Sequence, residues 1–204
     1  MRELDALRRD RAAVDPGLEE GLGDFGEHLL PRLVARGRTD AYALEGYWKD
    51  LGRPSAYLAA HRDLLRGRVD VFDDPRWPIL TRFPELPPAR VGASGSVDDS
   101  LLSPGVVVDG MVRGSVLGPG CVIEAGARVE DCVLMAGVRV ESGAVVAGSV
   151  LDQRVVIEAD AVVGAVPRRW PPSESAVTLC GADSRIRRGT TVPAGARLEP
   201  GSTS

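Results

Sequence analysis

The residue of this sequence best placed for chemistry is Asp50. It lies in the run Gly46-Tyr47-Trp48-Lys49-Asp50-Leu51-Gly52, between a stretch that reads as a short strand, Ala41 to Leu44, and one that reads as a helix, Pro54 to Leu65. Such strand-to-helix junctions are where α/β folds collect ligands. A carboxylate there suits a hard cation such as magnesium, which offsets phosphate charge while keeping much of its own water shell. The same aspartate also fits a helix cap, the commoner role at that spacing. Asp24 is a second candidate for a cap. It precedes Leu29, Leu30, Leu33 and Val34, apolar residues at helical spacing, and Gly37 supplies the stop.

Other chemistry is excluded by what is missing. The two histidines, His28 and His61, both lie in the first half, and none occurs from 86 to 204. The three cysteines, Cys121, Cys132 and Cys180, are far apart and have no C-x-x-C spacing, so they read as reduced, mostly buried thiols. A formal charge of -4 gives no basic footprint for nucleic acid. No apolar run approaches the roughly 18 residues that crossing a bilayer takes, and the charged start Met1-Arg2-Glu3-Leu4-Asp5 does not read as a secretory signal, so a cytoplasmic location is expected.

The elements that must position these residues fall into two grammars. Residues 1–83 hold nearly all the aromatics and have helical apolar spacing, giving an α/β inventory too small for a whole doubly wound sheet. That half therefore reads as the end of a larger domain, and the missing strands should leave Leu29, Leu33 and Leu44 uncovered. Residues 84–90 form a proline-rich connector, taking in most of the stretch Phe83-Pro84-Glu85-Leu86-Pro87-Pro88-Ala89.

Residues 91–204 repeat. Aliphatic residues recur as Leu117, Ile123, Val129; Leu134, Val140, Val146; and Leu151, Ile157, Val163, in steps of six, six and five, so that one turn takes 17 residues. An imperfect earlier turn runs from Ser100 through Val108, and a later one carries Ile186, Val192 and Leu198. A six-residue aliphatic period fits neither a helix nor an alternating strand but does fit a triangular coil with one short strand per side. Gly105, Gly120, Gly126, Gly137 and Gly143 fall between ladder positions, where the corners turn. The stretch Pro167-Arg168-Arg169-Trp170-Pro171-Pro172 interrupts the ladder and reads as a solvated loop, with ligand binding as the less common alternative.

Several motifs in order resemble those of bacterial ADP-glucose pyrophosphorylases (glucose-1-phosphate adenylyltransferases): Asp24-Phe25-Gly26-Glu27-His28-Leu29-Leu30-Pro31, then Glu45-Gly46-Tyr47-Trp48-Lys49-Asp50-Leu51-Gly52, Ala56-Tyr57, Asp63-Leu64-Leu65 and Trp77-Pro78-Ile79. The resemblance implies the C-terminal portion of that family: the end of a Rossmann-like nucleotidyltransferase domain, then a left-handed hexapeptide-repeat parallel β-helix. It further implies that Asp24, Phe25 and Trp48 line a glucose-1-phosphate pocket and that Asp50 is one of two magnesium ligands. On the residues alone, Phe25 and Trp48 read instead as core aromatics. Ser103 and Arg113, in early coils, are the positions the resemblance offers for a small anionic effector.

The chain departs from the family in two ways. Leu51-Gly52-Arg53 stands where the family has Val-Gly-Thr after its aspartate, bringing a bulky cation near the site. The glycine-rich phosphate loop, the second metal aspartate and the Glu-Lys-Pro motif have no counterpart in these residues, so the chain is expected to be inactive alone, because phosphoryl chemistry needs all those parts together. The resemblance thus implies glucose-1-phosphate and ATP as partners, and magnesium as cofactor, of the complete enzyme of glycogen synthesis only. Two other functions compete: a non-catalytic oligomerising or regulatory subunit, homo- or hetero-oligomeric, and a hexapeptide acyltransferase, which would need the coil histidine this sequence lacks.

Overall fold

A computed structural model describes residues 4–6, 9–10, 24–37, 39–72, 74–82 and 84–204. Phe83, at the head of the connector, lies outside the described residues. The chain forms two compact units, Met1–Gly46 and Tyr47–Ser204.

In the first unit Asp24 is the cap its position suggested. Its Oδ1 accepts the Glu27 N–H at 2.8 Å, opening a π-helical turn, Phe25–Leu29, that runs into helix α1, Leu30–Ala35. Pro31 sits in the first turn of α1, where no N–H is needed. Gly37 ends the helix in the left-handed region, its N–H on the Val34 carbonyl at 2.9 Å. The strand expected at 41–44 does not form. The segment lacks a ladder partner among the described residues, and an extended chain becomes a strand only by pairing.

The second unit is a left-handed parallel β-helix with one helix on its flank. Eighteen two- or three-residue strands between Arg90 and Leu198 form three six-stranded parallel sheets, one per side of the prism. The register is that of the sequence ladder: Leu117 pairs with Leu134, Val140 with Ile157, Val129 with Val146. Each of these points inward and is fully buried, together with Ile123, Leu151, Val163 and Ile186. The ladder loosens at its ends, where Leu102 and Leu198 are only partly covered. Stacking supplies the core that a single coil lacks.

The corners work as the glycine positions indicated. Gly143 has φ +74°, and a Cβ there would lie 2.5 Å from the Asp160 Oδ1 of the next coil. The sequence pattern missed that Asp99, Asp131, Arg154, Asp160 and Asp183 take the same left-handed geometry at other corners. Aspartate tolerates it better than most residues. All three cysteines are free and buried. Burial pushes the Cys121 thiol up to about 11 and those of Cys132 and Cys180 to about 12, so they are neutral core groups.

Helix α2, Pro54–Leu65, starts with proline at its first position and ends at Arg66 and Gly67. Its Leu58 packs on Val133 and Val150, neighbours in one sheet, and on Val177, just before the strand Thr178–Cys180; together these would otherwise expose an apolar stripe.

Candidate functional site

Tyr47 to Arg53 leads into α2. Among the described residues, no main-chain group of Tyr47 to Gly52 bonds to another main-chain group. Side chains hold the segment instead. The Tyr47 hydroxyl donates to Asp63 Oδ2 at 3.0 Å, Lys49 Nζ pairs with the same oxygen, and Arg68 donates to Oδ1 at 2.9 Å. Asp63, in the last turn of α2, is only 9 % exposed. Burial alone would raise its carboxyl, but hydrogen bonds from Lys49, Tyr47 and Arg68 outweigh that and hold it below the ordinary carboxylate value. For Lys49, burial pulls downward and Asp63 more than offsets it, so the ammonium titrates above its usual value.

Extended backbone alternates its side chains. With Tyr47 and Lys49 turned to Asp63, Trp48 and Asp50 face solvent, Trp48 at 72 % exposure. One oxygen of Asp50 accepts the Gly52 N–H at 2.8 Å, a local turn. Asp50 does not cap α2. The N-cap position is Arg53, which makes no side-chain cap bond, and the acceptor for the helix start is Glu174, which takes the Ser55 N–H at 3.2 Å and the Ser55 hydroxyl. The second oxygen of Asp50 has no protein donor among the described contacts, leaving it available to a cation.

Of the other residues singled out from sequence, Asp24 and Phe25 lie in the first unit, with Asp24 spent partly on its cap and Phe25 60 % exposed. Neither Phe25 nor Trp48 is a core aromatic, so the competing reading of the two fails. Ser103 and Arg113 lie on different sheets of the prism; the Ser103 N–H is in the ladder, on the Leu117 carbonyl at 3.0 Å, and Arg113 is paired with Glu130 of the next coil.

The interrupting loop is not merely solvated. Trp170 is half-buried, its ring 4.1 Å from the Arg62 guanidinium, and Arg62 pairs with Asp131 at a coil corner. Burial raises the Asp131 carboxyl and Arg62 only partly offsets it. A cleft of about 380 Å³ opens beside this contact, edged by Lys49, Arg62, Arg66, Arg68 and Trp170. Sequence reasoning missed Arg62, Asp131 and Glu174, whose partners are 69, 69 and 119 residues away, and named Asp63 only within a family motif, with no role, since its partners Tyr47 and Lys49 lie 16 and 14 residues off. The only available signal was the unexplained carboxylate at the end of an otherwise amphipathic helix.

Comparison with known proteins supports the resemblance. Residues 87–178 match the model of the GlmU-like C-terminal hexapeptide family. A glucose-1-phosphate adenylyltransferase of Acetivibrio thermocellus is 29% identical over 190 residues, 89% of this chain and 44% of its own length. The enzymes of that name from Bacillus mycoides and Bacillus anthracis are each 32% identical over 160 residues, 78% of this chain and 43% of their own length. The chain thus spans less than half the length of these relatives. Across most of its residues the chain is related to part of the glucose-1-phosphate adenylyltransferases, and its second half carries the hexapeptide repeat of the GlmU-like C-terminal family.

Proposed function

We propose that this chain is the C-terminal portion of an enzyme that makes ADP-glucose and pyrophosphate from ATP and glucose-1-phosphate for cytoplasmic glycogen synthesis, and that it carries half of the sugar site. On the resemblance, Asp24, Phe25 and Trp48 are sugar contacts, and Asp50 supplies one ligand to magnesium. The observation that supports this most is the alternation at 47–50, which turns Trp48 and Asp50 to solvent on the same face of the segment.

Magnesium fits Asp50 as a single ligand. The ion takes one or two carboxylates and completes its shell with water and substrate phosphate. Among the described residues no group of three or more acidic, histidine or cysteine side chains is arranged to hold a metal, so Asp50 would act there as a single protein ligand. Bound there, the ion supplies charge neutralisation to the phosphate. Trp48 orients the sugar ring and Arg53 adds positive charge close by.

The second reading, a non-catalytic subunit that joins a complete pyrophosphorylase, is favoured by the exposed apolar residues of the segments 42–51 and 71–80, which include Tyr42, Leu44, Trp77 and Leu80. Such surface needs a cover, and a nucleotidyltransferase domain supplied by another chain would provide one. Assays of the isolated chain separate the readings. We expect no ADP-glucose from ATP and glucose-1-phosphate, and co-purification with a full-length relative supports the subunit role. Acetyl-CoA-dependent acyl transfer by the isolated chain contradicts both.

A further inference from the structure

One carboxylate decides which way the candidate ligands face. Asp63 receives Tyr47 and Lys49 on a single oxygen and Arg68 on the other. The segment it holds has no main-chain tether of its own between Tyr47 and Gly52 among the described residues. Its nearest regular element, α2, begins only at Pro54. Apart from the Asp63 contacts and the local Asp50–Gly52 turn, no other hydrogen bond among the described residues holds Tyr47 to Gly52. With the Asp63 contacts, the inward pair is set as Tyr47 and Lys49, and period-two alternation sets the outward pair as Trp48 and Asp50. The Lys49 ammonium, 5.9 Å from the centre of the Tyr47 ring, ties the two inward side chains to each other.

We propose that Asp63 is a positioning residue: it orders the segment 47–50 and so presents Trp48 and Asp50 together on one face, ready for a sugar phosphate and its cation. The presentation matters for chemistry only on the reading of Trp48 and Asp50 given above. The ordering does not depend on that reading. Preorganised contact groups bind without the loss of chain freedom that a loose loop incurs, so the effect belongs in affinity for the sugar phosphate as well as in mobility. Asp63 itself touches no ligand. Its neighbour Arg62 pairs with Asp131 and packs on Trp170, so the same helical turn that anchors the segment is itself fastened to the β-helix.

The test measures backbone mobility in the whole chain by ¹⁵N heteronuclear NOE. In the native protein residues 47–51 should be as rigid as α2. Asp63→Asn should release 47–51 while the β-helix ladder amides stay unchanged, and Asp63→Glu should restore part of the order. Because Asp63→Asn also deprives Arg68 of its partner, the double variant Tyr47→Phe, Lys49→Met serves as a second route, leaving Asp63 paired with Arg68. It should release the same residues. Rigid 47–51 in both variants, or a native segment already mobile, overturns the proposal. Titration with glucose-1-phosphate and magnesium gives the functional arm. Where the native chain binds, Asp63→Asn should weaken binding about tenfold. A native chain in which Trp48 and Asp50 do not respond contradicts the sugar-site reading and leaves the ordering result standing.

Discussion

Glu174 takes the main-chain N–H and hydroxyl of Ser55, 119 residues earlier, capping from the loop at 167–176 the helix that Ser55 helps to open. The cap that local sequence would assign to Asp50 is therefore delivered by tertiary structure, and Asp50 is left free. Glu174→Ala should cost about 1 kcal/mol, the ordinary worth of a lost N-cap. Amide exchange in the first turn of α2 should speed up, with the ladder strands unchanged. Unchanged exchange at Tyr57 and Leu58 contradicts the assignment.

The prism core gives a graded expectation. Leu134 is 1 % exposed at the middle of the stack, whereas Leu198 is only partly covered at its end. Leu134→Ala should cost about 2–5 kcal/mol by thermal or urea unfolding. Leu198→Ala should cost well under half of that, because solvent can fill the space. Equal losses would mean the stack has no distinct interior.

A corner can be tested with one methyl group. Gly143 combines a φ of +74° with an Asp160 oxygen 2.5 Å from any Cβ placed there. Gly143→Ala should destabilise by about 1–2 kcal/mol from the backbone alone, with more from the clash. Asp160→Ala in the same chain should recover the clash part and not the backbone part.

Acid should loosen the site segment. The Asp63 carboxyl titrates below its ordinary value in the folded chain, so its contribution is fully present above the unfolded value of about 3.9 and is lost as pH falls through the folded value. The segment 47–51 should stay ordered at pH 5 and become mobile only below about pH 4. Loss of order near pH 6 would point to a different group.

The exposed apolar residues bear on solution behaviour. Leu44 is 70 % exposed, and Trp77 and Leu80 still more so, whereas Leu29 and Leu33, expected to be uncovered, are partly buried. Light scattering should show concentration-dependent self-association of the isolated chain, reduced by Leu80→Ser. A monodisperse monomer at high concentration contradicts this.

Legibility in the sequence followed the range of the interactions. The coil ladder from Leu117 to Val163 was readable because each residue repeats the role of another 17 positions away, and corner glycines such as Gly143 declare their backbone angle by type. The helix Pro54–Leu65 was readable from spacing and its proline start. The strand at 41–44 failed because alternation describes a side chain's neighbours only when a partner strand is present. The Asp63 cluster and the Trp170 contact with Arg62 were not readable, since polar pairs between distant segments leave no period. Asp50 stood out by motif, but its freedom from capping became visible only when Glu174 was found in the place of the cap.

The central claim is that Trp48 and Asp50 are contacts for a sugar phosphate and its metal, with Asp24 and Phe25 as the other contacts to the sugar. The most direct measurement is an amide and tryptophan side-chain NMR titration of the chain with glucose-1-phosphate, with and without magnesium, repeated on Asp50→Asn. The account expects shifts centred on Trp48 and Asp50 that are larger with magnesium, and loss of the magnesium effect in the variant. Shifts confined to the coils around Ser103 and Arg113, or a magnesium effect that survives Asp50→Asn, would contradict it.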